Sequence, residues 1–144
     1  MKEIVTKIKI NAPGHKVWES LTKFEDYPTW NPFIRQAEGQ VKLGEVLKIK
    51  IQPSGGREMR FTPRVVEVEP GRRFAWLGKL FIRGLFDGRH EFAVYETETG
   101  MVEFVHSERF TGILVPLIWG YIEEDTRKGF EAMNEALKTR TEGN

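Results

Sequence analysis

The chain has 144 residues, 40% hydrophobic and 12% aromatic, with 22 Lys and Arg against 21 Asp and Glu for a net charge of +1. That balance removes any bulk electrostatic case for nucleic acid, and the absence of cysteine removes disulfides and thiolate metal sites. One domain spanning residues 1–144 is expected, long enough to bury ~70% of the surface its unfolded chain would expose.

Val5 to Ile10 alternates polar and apolar residues, the period of a half-buried strand, and Asn11-Ala12-Pro13-Gly14 ends it. Val17, Trp18, Leu21 and Phe24 recur at helical spacing, predicting a short helix from Pro13 to about Lys23. Tyr27-Pro28-Thr29-Trp30-Asn31-Pro32-Phe33 follows, with a turn of helix from Pro28; Pro32 pushes Asn31 out of helix, and Phe33 should open a strand. Asn31 reads as a turn and capping residue. Three aromatics in so short a connection need an apolar surface to cover.

Beyond Phe33 the pattern is β. Val46 to Ile51 alternates and stops at Pro53-Ser54-Gly55-Gly56. Met59, Phe61, Val65, Val66 and Val68 are assigned to one strand, bent or confined to an edge by Pro63. Phe74 to Leu80, Phe86 to Glu96 and Val102 to Phe110 supply three more, joined by turns short enough to require antiparallel neighbours. Pro116 to about Lys138 is the one long helix, with Trp119, Ile122, Thr126, Phe130, Met133 and Leu137 along one face. Thr139 to Asn144 reads as a polar tail with nothing to bury. A sheet of this many strands must curl, and the helix laid into its concave face leaves space that side chains need not fill.

Ala12-Pro13 leading into Val17-Trp18, the Tyr27–Phe33 segment, Gly84-Leu85-Phe86-x-Gly88-x-His90-x-Phe92, Glu108-x-Phe110-x-Gly112 and the closing helix together resemble the SRPBCC superfamily of START-like, birch-pollen-allergen-like and polyketide cyclase/dehydrase-like proteins. The resemblance covers essentially the whole chain and is strongest to the small bacterial polyketide cyclase/dehydrase-like members. It implies an α+β helix-grip fold: a curved antiparallel sheet around a long C-terminal helix, two short helices after the first strand, and a hydrophobic ligand cavity. Members range from lipid carriers to cyclases to co-chaperones, so the fold does not settle activity.

Parity places His90 and Phe92 on one sheet face, and Phe104, His106, Glu108 and Phe110 on one face of the next strand; the phenylalanines make it the concave one. His90 then lies near either His106 or Glu108, according to a register the sequence leaves open. These three are the candidate catalytic groups, as an acid–base pair, or they hydrogen-bond one another and shape the polar end of a cavity. Two imidazoles and a carboxylate can also hold zinc, but no ligand spacing marks a metal site, and no cofactor is called for. Met59, Phe61, Trp76, Trp119 and Tyr121 are the further cavity candidates, with Gly120 leaving room beside the last two. Trp30 and Phe33, with Phe81, Leu85 and Phe86 of an unusually apolar hairpin connection, are expected at the entrance.

The expected partner is a hydrophobic or amphipathic small molecule: lipid-like, polyketide-like or aromatic. A cyclase/dehydratase-type enzyme and a partner-binding co-chaperone-like domain are the alternatives. The start, Met1-Lys2-Glu3-Ile4, has no apolar signal segment, and Ile113 to Trp119 is too short to span a bilayer. A cytoplasmic monomer or weak homodimer, without nucleic acid or integral membrane association, is expected.

Overall fold

A computed structural model describes residues 1–80 and 82–143. The elements run β1 (Lys2–Ile10), α1 (Gly14–Thr22), a 3-10 turn (Phe24–Asp26), α2 (Tyr27–Trp30), β2 (Ile34–Glu38), β3 (Lys48–Ile51), β4 (Met59–Phe61), β5 (Arg64–Glu69), β6 (Arg73–Leu80), β7 (Phe86–Glu96), β8 (Val102–Thr111) and α3 (Val115–Glu142). Five antiparallel strands pair in the order β1-β8-β7-β6-β5, and three in the order β2-β3-β4. A bridge between Val46 and Arg64, with Leu47 N–H donating to the Pro63 carbonyl, joins the two sets into one curved wall around α3.

Alternation sorts the side chains as the period of a strand requires. On β7, His90 and Phe92 face inward and are buried, while Arg89 and Glu91 face out into an ion-pair lattice with Glu67 and Arg73. Arg73 and Arg89 therefore belong to the convex surface. Asn31 behaves as its turn chemistry predicts: it is extended after α2, and its Oδ1 accepts the N–H groups of Phe33 and Ile34 at 3.0 and 2.8 Å.

Two expectations change. The strand assigned to Met59 through Val68 is two strands in different sheets, β4 on β3 and β5 on β6. Pro63 lacks the N–H to continue a ladder, and the chain crosses the seam there. The tail after Lys138 is not free: α3 continues to Glu142, Thr141 is buried, and Glu142 accepts the backbone N–H of Asn11 at 2.6 Å.

Along α3 the work divides by position. The C-terminal half buries Phe130, Met133 and Leu137 in the main core, whereas Ile118, Trp119 and Ile122 of the N-terminal half are only partly covered. Gly129 stands at the division. A Cβ there would overlap the ring of Phe33, so the glycine lets that ring wedge between helix and sheet, where it meets Phe130 edge-on at 5.5 Å. This close approach offsets the roughly 1 kcal/mol that glycine costs a helix interior.

Candidate functional site

Register decides the site. Cα pairing sets His90 opposite Glu108, Phe92 opposite His106 and Trp76 of β6 opposite His90. His90 reaches both of its alternatives: its Nε2 lies 2.6 Å from Nε2 of His106, and its Nδ1 lies 3.8 Å from Oε1 of Glu108. The rings build a continuous stack in which His106 lies flat on Phe130 at 4.0 Å and His90 on Phe92 at 4.4 Å. Asn134 of α3 holds the far side of His106, Oδ1 to Nδ1 at 2.9 Å, and its Nδ2 donates to Oγ1 of Thr6 at 2.9 Å.

Burial dominates the electrostatics. It pushes the His106 pKa down from 6.5 to about 3, against a smaller opposite pull from the Asn134 hydrogen bond. His90 is driven well below its usual range by burial and then by the charge His106 could carry. Burial raises the Glu108 pKa from 4.5 to about 8. At neutral pH the cluster is thus two neutral imidazoles beside a carboxylic acid. Gly88, two residues before His90, makes room for that acid: a Cβ there would overlap Glu108 Oε2.

In front of Glu108 and His90 opens a cavity of about 280 Å³ between the sheet and the N-terminal half of α3. Ile49, Ile51, Met59 and Phe61 form one wall, Trp76, Leu80, Phe86 and Phe110 another, and Ile118, Tyr121 and Ile122 the helical side. Arg57, Lys79, Asp125 and Thr126 supply polar groups elsewhere in the lining. A broader groove of about 700 Å³ runs between α1 and β2, past Trp18, Glu25 and Gln36, but it is more open to solvent and holds none of the buried polar cluster.

The predicted residues separate as follows. Met59, Phe61, Trp76, His90, Glu108, Phe110 and Tyr121 line the cavity, Tyr121 with 85% of its surface exposed. Phe92, Phe104 and His106 do not line it; they are fully buried in the core behind it. Trp119 also stands off the lining and packs edge-on against Phe110 at 5.3 Å, while Gly120 opens to solvent rather than to the cavity. Among the expected entrance residues, Phe33 and Phe86 are inner wall, buried to 3% and 9% exposure, because each is drawn in by aromatic partners. Trp30 lies elsewhere, against Tyr27 and under the guanidinium of Arg140. Leu85 contributes its carbonyl to the N–H of Leu114 rather than a side chain to the lining, and Phe81 lies outside the described residues. Among the described residues no cluster of three His, Cys, Asp or Glu is arranged to hold a metal ion.

Sequence reasoning missed Ile49, Ile51, Ile118 and Ile122 as lining, although alternation marked Ile49 and Ile51, and the helical face marked Ile122, as inward-facing. It also missed Thr6 and Asn134. Asn134 follows Phe130 by one helical turn on the apolar face, a polar residue where burial should be, and that was the available signal.

The sequence pattern of the family described as polyketide cyclase / dehydrase and lipid transport matches residues 1–142. The chain belongs to this family. Solved structures of the same fold include the Zhui aromatase/cyclase from Streptomyces sp. R1128, 16% identical with a TM-score of 0.78 over 98% of this chain and 93% of that one. A START superfamily protein from Mycobacterium smegmatis is 14% identical with a TM-score of 0.75, over 98% and 97% of the two chains. A norcoclaurine synthase point mutant from Thalictrum flavum is 14% identical with a TM-score of 0.74, over 97% and 93%. At such identities the likeness establishes the helix-grip fold of the family. No curated protein matches the sequence.

Proposed function

We propose that this family member binds a compact amphipathic molecule in the cavity, its apolar body against the isoleucine and aromatic walls and its polar end at Glu108 and His90. The carrying observation is one mostly apolar cavity that ends on a small cluster of polar groups with displaced pKa values. Size narrows the ligand. At about 280 Å³ the cavity stands at the small end of the range for ligand pockets, which suits one or two rings or a short acyl chain. The test is mass spectrometry of organic extracts from the purified protein, with Ile51→Trp as the control. A bound species lost in that variant supports the proposal; a protein that carries nothing and takes up no one- or two-ring probe contradicts it.

A cyclase/dehydratase-type reaction in the same cavity is the second reading, favoured by one observation: an uncharged acid and an unprotonated base face each other 3.8 Å apart. Glu108 is thereby held as a proton donor that titrates near neutral pH, beside an imidazole nitrogen kept free of its own proton. Substituting Glu108 by Gln separates the readings, since proton transfer predicts turnover lost with ligand binding kept.

A further inference from the structure

The hydrogen bonds behind the cavity run in one direction, and their starting point sets it. Thr6 Oγ1 donates to the backbone carbonyl of His106 at 2.8 Å; a carbonyl only accepts, so the hydroxyl hydrogen is committed there. Asn134 must then turn its amide nitrogen to Thr6 and its Oδ1 to His106, and an amide oxygen also only accepts. His106 Nδ1 therefore carries the hydrogen. The ring is fully buried face-on to Phe130 and neutral, so its Nε2 is a bare lone pair. His90 Nε2, 2.6 Å away, must be the donor, which leaves His90 Nδ1 bare as well. That atom faces Glu108 Oε1 across 3.8 Å, too far for a hydrogen bond, and no described residue hydrogen-bonds either group at that end.

The cavity thus ends on an acceptor beside a carboxylic acid that can both donate and accept. We propose that this relay makes the inner end of the cavity specific for a neutral hydroxyl group, an alcohol or a phenol, which donates to His90 Nδ1 and accepts from Glu108, with Thr6 and Asn134 as positioning residues. The inference rests on the ligand-binding reading of the cavity. Two atoms 3.8 Å apart leave an apex where one oxygen stands about 2.8 Å from both. An ether or a ketone has no hydrogen for Nδ1 and would set a lone pair against a lone pair. Sites built to pair a hydroxyl reject analogues that lack it more strongly than apolar pockets reject a change of size.

Three probes test this in calorimetric or NMR titrations: naphthalene, 2-naphthol and 2-methoxynaphthalene. Wild type is expected to bind 2-naphthol about tenfold or more tightly than the ether, the scale of leaving buried polar groups unpaired. Asn134→Leu removes the acceptor that fixes His106, frees its Nε2 to carry the hydrogen, and turns His90 Nδ1 into a donor that an ether oxygen can also accept from; the advantage of the hydroxyl over the ether is expected to shrink several-fold. A merely steric preference would survive that substitution. Should the variant not fold, long-range ¹⁵N–¹H correlations on wild type read the tautomers directly, since the only other histidine, His15, is exposed. Bare Nδ1 on His90 and bare Nε2 on His106 are expected. The opposite tautomers, or equal affinity for naphthol and its ether in wild type, overturn the hydroxyl inference while naphthalene binding keeps the cavity reading. If none of the three binds, both fall.

Discussion

Stability against pH should peak near 6.5, and Glu108 should be the reason it falls above that. Take the unfolded chain first: its Glu108 titrates near 4.5 and its histidines near 6.5. In the native state Glu108 holds its proton to about pH 8, whereas His106 holds none above about 3 and His90 none until well below 6.5. Between 6.5 and 8 the native state binds one proton more than the unfolded state, so stability falls as pH rises, by about 1.4 kcal/mol per pH unit per proton. Over that interval the loss is about 2 kcal/mol, an upper figure because the carboxyl is 17% exposed and keeps some hydration. Below 6.5 the unfolded state binds histidine protons that the native state lacks, at His106 down to about pH 3 and at His90 until well below 6.5, against one on native Glu108, so stability rises with pH on this limb, by up to about 1.4 kcal/mol per unit. Urea unfolding at pH 5, 6.5 and 8 measures both limbs; with an m-value of ~2 kcal/mol per M, the alkaline limb moves the midpoint by about 1 M. Glu108→Gln should abolish the alkaline limb and steepen the acid one. A wild-type midpoint that does not move between pH 6.5 and 8, or an alkaline limb that persists in Glu108→Gln, would refute the assignment of an uncharged buried Glu108.

Gly129→Ala should destabilise the protein by about 1–3 kcal/mol despite alanine's better helix propensity, because the added methyl overlaps the buried Phe33 ring; a raised melting temperature would contradict that packing. Gly88→Ala should displace the Glu108 carboxyl and weaken binding of 2-naphthol, with the pH limb above 6.5 reduced in the same titrations. Thr6→Val removes a buried donor and leaves one amide hydrogen of Asn134 unpaired, a loss of about 1–3 kcal/mol readable by urea unfolding. Deleting the residues after Lys138 should lower the melting temperature, since it removes buried Thr141 and the Glu142 carboxylate that accepts from Asn11.

Much of the site's composition was legible one residue at a time. Alternation in Phe86–Glu96 and Val102–Phe110 sends His90, His106 and Glu108 to one face because a strand's side chains alternate whatever its partner, and the row Ile122, Phe130, Met133, Leu137 marks the helix face that closes over them. Alternation is silent on register. A slip of one residue on β8 would have sent Glu108 to the convex surface, and only pairing with β7 on one side and β1 on the other excludes it. The break at Pro63 shows the same limit: the apolar pattern runs on through the proline, yet its two halves pair with different strands. Thr6, Asn134 and His106 are separated by a hundred residues or by α3 itself, so no local pattern could show that they form one chain of hydrogen bonds. Local periodicity determined which way each side chain points. Which atoms of His90 carry a hydrogen, and so what the cavity can recognise, depended on partners drawn from β1, β8 and α3, because a tautomer is set by the groups that surround it in three dimensions.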